Sequence, residues 1–448
     1  MRKYAEKKDY ILYHSDMNKI EEDIKENSID SIITDPPYEL NFMGKGWDNS
    51  GVAFSADTWK KCFDVLKPGG YLLAFGGSRT YHRICCAIED AGFEIRDCIM
   101  WLYGSGFPKS MNIGLAIDKK NGVESIVVGE GKSGTSSRAF QSEENTTAGK
   151  YKIKEAQNKW QGWGTCLKPA YEPIIVARKP FKGSLVDNVI ENGVGGLNID
   201  ECRVGELGGV KKIDIEPNSG SKNSGFGCNG KLEDLNMGRF PANVILTYDE
   251  NDFEEVCGGF PDTKGGNRHN TAIRRSDKTS FGFEKNTRNE FNDEGSASRY
   301  FYCAKASKKD RDEGLEEFNN LKVNDGRQTP IDNPFQRGET PRKNIHPTVK
   351  PTQLMQYLIR LVTPKGGTVM DCFMGSGSTG KAVMFENRER NAGYKFIGIE
   401  MTDEYLPIAE SRIEYALNKY EDNKEEKRNG EEREKKEELT IFDFIEEK

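Results

Sequence analysis

Through the first hundred or so residues, short apolar runs alternate with amphipathic stretches. The runs at 10–14, 29–34, 71–75 and 93–101 predict strands, and the stretches at 17–26, 53–66 and 79–91 predict helices. In VLKPGGYLLAF, Pro-Gly-Gly marks a stop between one helix and the next strand. A further short strand is expected at 173–177, after a polar insertion at about 122–161 that reads as loop. From 180 to about 342 the periodicity is poor, and 205–231 and 264–298 are rich in Gly, Asn, Ser and charge. That stretch reads as a separate module or a set of loops. Regular alternation then returns, with helices expected at 351–361, 379–387 and 403–418 and strands at 368–371 and 396–400. Strands alternating with helices imply a parallel sheet with crossover helices. The same architecture therefore opens and closes the chain.

Length changes this picture by requiring more than one core, since 448 residues exceed the roughly 250–300 at which single cores stop growing. The mean hydropathy of −0.73 and 31% charged residues fit a soluble protein with long polar insertions. No apolar run approaches the roughly 20 residues that span a bilayer, and the first ten residues lack a signal-peptide pattern, so no membrane partner and a cytoplasmic location are expected. Ten cysteines without a CxxC pair and four histidines give no zinc-ligand spacing, so no metal site is expected. The formal charge of −7 is unevenly spread. Residues 419–448 hold 12 acidic against 8 basic side chains, whereas 264–312 hold 12 basic against 7 acidic. The net charge thus leaves room for a polyanionic partner.

Two motifs carry chemistry. Thr34-Asp35-Pro36-Pro37-Tyr38 directly follows the apolar run 29–34, which places it at the carboxyl edge of a parallel sheet, where ligands bind. An exocyclic aromatic amine is a poor nucleophile because its lone pair is delocalised into the ring. A site that methylates it must accept hydrogen bonds from both N–H groups, and an Asp carboxylate with a neighbouring backbone carbonyl can do so. Two prolines stiffen that turn, and Tyr38 offers a flat face to a base. A plain strand-end turn would use the same residues. The second motif, DCFMGSGSTG at 371–380, again runs from a strand into a helix. Gly375 and Gly377 allow close backbone approach, and the helix that follows offers free N–H groups. A tight strand-to-helix turn is the simpler alternative. Glu400 ends the next strand, FIGIE, at the spacing of a ribose-binding carboxylate in a nucleoside-binding βαβ unit. The loop does not fit the phosphate-cradling Gly-x-x-x-x-Gly-Lys-Ser/Thr pattern.

With DPPY, HPTVKP (346–351) and DCFMGSGSTG in that order, the sequence resembles the beta class of DNA amino-methyltransferases, found in restriction-modification systems, bacterial chromosomes and phages. The resemblance covers 9–104 and 341–418. It implies an α/β, Rossmann-like, S-adenosylmethionine-dependent methyltransferase sheet of seven strands with the last hairpin reversed. The motif order is circularly permuted, and an irregular target-recognition module is inserted. The chain then divides into a catalytic half at 1–180, a recognition module at 181–340, a cofactor-binding half at 341–418 and a charged tail at 419–448. By the same resemblance, Asp35 and the Pro36 carbonyl would hold the amine, stiffened by Pro37, and Tyr38 would stack on the flipped base. Asp371, Phe373, Gly375, Gly377, Ser378 and Thr379 would surround the cofactor. Glu400 would bind its ribose hydroxyls, Asp16 would sit near its adenine, and Thr348 and Lys350 would contact its methionine end. Cys372 stands where the family usually has proline. Asp rather than Ser before Pro-Pro favours adenine N6 over cytosine N4, the alternative. A catalytically inactive DNA-binding protein of the same fold is the rival outside enzymes.

The expected partner is double-stranded DNA with a flipped target base. Lys109, in an aromatic segment at 101–110, is a candidate DNA contact. So are Arg274, Arg275, Arg299, Lys305 and Lys308, which interleave with Tyr300, Phe301 and Tyr302; a solvated charged face would look the same. Residues 439–442, LTIF, are similar to short peptides that dock on replication sliding clamps. A homodimer is left open.

Overall fold

The computed structural model describes residues 1–40, 46–103, 110–132, 150–205, 210–213, 231–234, 238–249, 260, 262–263, 295–306, 308–323 and 340–419. Among them ten strands share one sheet. In chain order these are β1 (Arg2–Glu6), β2 (Tyr10–His14), β3 (Ile29–Thr34), β4 (Leu66–Phe75), β5 (Glu94–Tyr103), β6 (Tyr171–Arg178), β7 (Val244–Asp249), β8 (Tyr302–Ala306), β9 (Thr368–Asp371) and β10 (Lys395–Glu400). Across the sheet they run β1-β2-β10-β9-β3-β4-β6-β5-β7-β8. The helices are α1 (Ala56–Val65), α2 (Tyr81–Asp90), α3 (Ile113–Asn121), α4 (Leu185–Asn192), α5 (Lys308–Asp312), α6 (Thr352–Val362), α7 (Ser378–Arg390) and α8 (406–419).

The expected seven strands are present as β2, β10, β9, β3, β4, β6 and β5, assembled from both ends of the chain. β6 is the reversed member, antiparallel to both β4 and β5. Three strands extend the sheet beyond seven. β1 adds an antiparallel edge to β2, while β7 and β8 add parallel strands beyond β5. The last two come from within 181–340, so part of the stretch read as a separate module belongs to the main sheet. The insertion between β5 and β6 also differs from a plain loop. It holds α3 and a hairpin of strands Ile126–Lys132 and Lys150–Glu155. The exposed apolar side chains of Ile126, Val127 and Val128 deny that hairpin the in-out alternation by which strands are recognised.

Side-chain alternation along the strands builds two cores. Leu73 and Phe75 of β4 join Ile33, Ile174 and Val176 under α6, α7 and α8. Leu72 and Ala74 point the other way, with Ile32, Ile175 and Ala177, under α1 and α2. Because helices cover both faces, β3 is buried along its whole length. From β3 the chain proceeds to β4 on one side, and from β9 to β10 on the other. The adjacent pair β9 and β3 is therefore the topological switch point, outside whose carboxyl ends a crevice must open. Both sequence motifs leave the sheet there.

Candidate active site

Residues after β3, β9 and β10 line a single cavity of about 1730 Å³. Asp35, Pro36, Pro37 and Tyr38 form one part of its wall, and Asp371, Phe373, Gly375, Ser378, Thr379 and Glu400 another. Asp16, Thr348 and Lys350 also face it. Small-molecule pockets usually hold about 300–1,000 Å³, so this one has room for more than one guest.

The Asp35 end of the cavity is built on ion pairing. Asp35 Oδ2 accepts from Lys350 Nζ at 2.5 Å, while Asp35 Oδ1 is buried and has no partner. Burial raises the Asp35 carboxyl above its ordinary value, and the Lys350 charge opposes this. Burial alone would lower Lys350, but Asp35 and Glu172 outweigh it and hold the ammonium above the usual lysine value. Tyr38 is pinned at both ends. Its carbonyl accepts from Thr80 Oγ1 at 2.7 Å, and its hydroxyl donates to Glu172 Oε2 at 2.7 Å. Lys350, expected at the methionine end of a cofactor, is instead joined to Asp35, because its ammonium finds two carboxylates on that side.

At the glycine turn, several expected ligands bind the protein itself. The Asp371 carboxylate accepts from Thr34 Oγ1 at 2.7 Å, Thr379 Oγ1 at 2.5 Å and Phe373 N at 3.1 Å, so it braces the turn. Burial pushes its carboxyl up to about 6. Gly377 does not line the cavity. It caps α7 in the left-handed conformation, and a Cβ there would lie 2.9 Å from Ala409 Cα of α8. It is a packing glycine. Gly375 does face the cavity, with φ +54°, and a Cβ there would lie 2.7 Å from His346 Nε2. Glu400 accepts from Gly375 N at 2.8 Å and from Thr402 N at 2.8 Å, and burial raises its carboxyl. Asp16 caps the turn Met17–Glu22, accepting from Asn18 N at 2.9 Å. Phe373 leans on Trp59, with ring centroids 6.3 Å apart.

Sequence reasoning missed several residues here. Glu172 is the second residue of β6, in an ordinary-looking Tyr-Glu-Pro. His346 was read only as part of HPTVKP, yet it lines the cavity with its Nδ1 buried and unpartnered, and burial, then Lys350, lowers it to about 3. Behind the turn, Lys381 is wholly buried and meets Asp310 at 2.7 Å and Glu313 at 3.0 Å. Arg412, also buried, donates to Ser376 O at 2.7 Å and Ser378 Oγ at 3.2 Å. Asp310 lies in α5, so the middle of the chain supports the turn.

Of the candidate DNA contacts, Lys109, Arg274 and Arg275 lie outside the described residues, as do 439–442. The backbones of Arg299, Lys305 and Lys308 lie in the turn Ala297–Tyr300, in β8 and in α5 respectively, with their side chains outside the described part. Among the described residues, no group of three or more His, Cys, Asp or Glu is arranged to hold a metal ion, and no helix is long and apolar enough to cross a membrane.

A switch-point crevice, a glycine turn with a buried carboxylate at the next strand end and a rigid acidic Pro-Pro-Tyr edge define an α/β protein built around a nucleoside-sized ligand and a second guest. A family model described as "DNA methylase", N6_N4_Mtase, matches residues 29–194 and 231–411, and the chain belongs to that family. Type II methyltransferase M.HindIII of Haemophilus influenzae is 26% identical over 165 residues, 36% of this chain and 40% of that protein. Type II methyltransferase M.BglI of Bacillus subtilis is 45% identical over 74 residues, 16% and 20% of the two chains. Type II methyltransferase M.HpaI of Haemophilus parainfluenzae is 35% identical over 111 residues, 23% and 34%. The chain thus matches less than half the length of each of these relatives.

Proposed function

We propose that the protein transfers a methyl group from S-adenosylmethionine to N6 of an adenine extruded from duplex DNA. The observation that carries this reading is the buried, unpartnered Oδ1 of Asp35, a residue that lines the same cavity as the glycine turn. An unpaired buried carboxylate oxygen is costly unless a ligand donates to it. An exocyclic amine supplies that donor.

The residues fit the cofactor. Glu400 is held at the end of β10 beside Gly375, which supports a role in receiving ribose hydroxyls, and Asp16 lines the same cavity. Phe373, Ser378 and Thr379 complete that side, with Thr348 nearby. Asp35, Glu172 and Glu400 against Lys350 leave this cavity wall acidic, which suits a sulfonium cation. When bound, S-adenosylmethionine supplies an activated methyl group.

The protein's own part is positioning. Asp35 Oδ1 and the Pro36 carbonyl accept the two N–H bonds, drawing the nitrogen away from conjugation and aiming its lone pair. The pinned Tyr38 ring gives the base a face to lie on. No strong base is required, because the nitrogen becomes cationic before its proton leaves. Adenine rather than cytosine is favoured by Asp at position 35, and the basic excess in 264–312 suits phosphate neutralisation.

The test is transfer of labelled methyl from S-adenosylmethionine to duplex DNA, RNA or protein in parallel. Label in duplex DNA alone supports the reading. Label in RNA or protein instead, or in nothing while the cofactor binds, overturns it.

A further inference from the structure

We propose that Glu172 is a positioning residue for the amine acceptor, acting through Tyr38 and Lys350 to fix where the free oxygen of Asp35 points. The inference rests on the reading of the cavity as an amine-methylating site. Glu172 reaches the cavity because β6 is reversed. A strand running against its neighbours begins where they end, and Glu172, paired in register with Trp101, therefore lies at the carboxyl edge of β4 and β5.

Three contacts converge on this carboxylate. Oε2 accepts from Tyr38 OH at 2.7 Å and lies 3.6 Å from Lys350 Nζ, and Oε1 accepts from Tyr103 OH at 3.3 Å. The Lys350 ammonium is thus suspended between two carboxylates. Around it stand the rings of Phe75, Tyr38 and Trp101, with centroids 5.0, 5.5 and 6.0 Å away. Aromatic faces attract the ammonium without fixing its direction. The direction comes from the second carboxylate, which holds Lys350 on the far side. One Asp35 oxygen stays committed and the other stays free. Two anions and one cation also leave the group with one net negative charge, matched to a nitrogen that turns cationic as the methyl arrives.

The experiment compares Glu172→Gln and Glu172→Ala with the wild type. Glutamine retains an oxygen for the Tyr38 hydroxyl but removes the charge. Alanine removes both. kcat is expected to fall about 100-fold in the alanine variant and about 10-fold in the glutamine variant. Affinity for S-adenosylhomocysteine and thermal stability are expected to stay close to wild type.

Titration of the Lys350 ammonium by NMR gives a second readout that needs no turnover. The charged and titratable groups facing it are Asp35 and Tyr38 after β3, Glu172 on β6, Tyr103 on β5 and His346 on its own segment. In Glu172→Gln, Lys350 is expected to lose its proton at lower pH than in wild type, because one of its two anions is gone. Wild-type kcat in Glu172→Ala, equal losses of kcat, cofactor affinity and stability, or an unchanged Lys350 titration would each overturn the proposal. A wild-type protein that methylates no DNA would sink the functional reading instead, and the Lys350 titration would still decide this one.

Discussion

Thr34 donates its hydroxyl to Asp371 at 2.7 Å, and this bond ties the end of the strand before Asp35-Pro36-Pro37-Tyr38 to the end of the strand before the glycine turn, 337 positions away. The same hydroxyl accepts from Phe373 N at 3.2 Å. A single buried side chain thereby links the two halves of the cavity at the ends of paired strands. Thr34→Val keeps the shape and deletes the bonds. It should cost about 1–2 kcal/mol of stability and lower both cofactor affinity and kcat, because neither wall keeps its register. Chemical denaturation with a cofactor titration checks this, and a variant impaired in only one of the two functions would show that the walls are set independently.

Asp371 gives the stability a distinctive pH dependence. Burial raises its carboxyl to about 6 from the ordinary 3.8, so the folded protein favours the protonated form more than the unfolded chain does. The stability from this group is therefore fully present below about pH 4 and lost as pH rises through about 6. The difference is on the order of 3 kcal/mol. Thermal melts of wild type and Asp371→Asn from pH 4 to 7 test the sign. The wild type should lose ground against the variant across that window and hold level above it.

The two glycines of the turn should behave differently. Gly377→Ala places a Cβ 2.9 Å from the Ala409 Cα at φ +74°. The clash is with helix backbone, so a loss of about 1–3 kcal/mol is expected. In Gly375→Ala the new Cβ meets the His346 ring beside the amide that Glu400 holds, so cofactor affinity should fall more than stability. Melting temperature and a binding titration separate the two.

Glu400→Gln should weaken S-adenosylmethionine binding about 10–100-fold while leaving the fold intact. The Gly375 amide can still be capped by the glutamine oxygen, but the charge proposed to receive ribose hydroxyls is gone. Isothermal titration would read this directly. Unchanged affinity would place the ribose elsewhere.

Much of this site was legible in the chain because its two motifs each follow a strongly apolar strand, and a strand end is a place as well as a pattern. β2, β3 and β9 lie where their apolar runs put them. What could not be read was the partner of each polar group. Lys350 and Asp35 are 315 positions apart, and nothing local distinguishes a lysine that meets a cofactor from one that meets a carboxylate. Gly377 looked like Gly375 because both permit positive φ, and only the packing of α8 tells them apart. α4 was within reach. Ser184 caps it, accepting from Asp187 N at 3.1 Å in a Ser-x-x-Asp pattern, but its exposed Val186 and Ile190 blur the helical stripe. β7 and β8 were not, since a sheet extended from a Gly- and Asn-rich stretch leaves little periodic trace.

In the proposed reaction Asp35 accepts hydrogen bonds from an adenine amine. The most direct test is mass spectrometry of nucleosides from duplex DNA treated with S-adenosylmethionine and either wild type or Asp35→Ala. Wild type should yield N6-methyladenosine as its deoxynucleoside, and Asp35→Ala, still binding the cofactor, should yield at least about 100-fold less. N4-methylcytosine in place of the adenine product, or wild-type yield from Asp35→Ala, would rule out that role for Asp35.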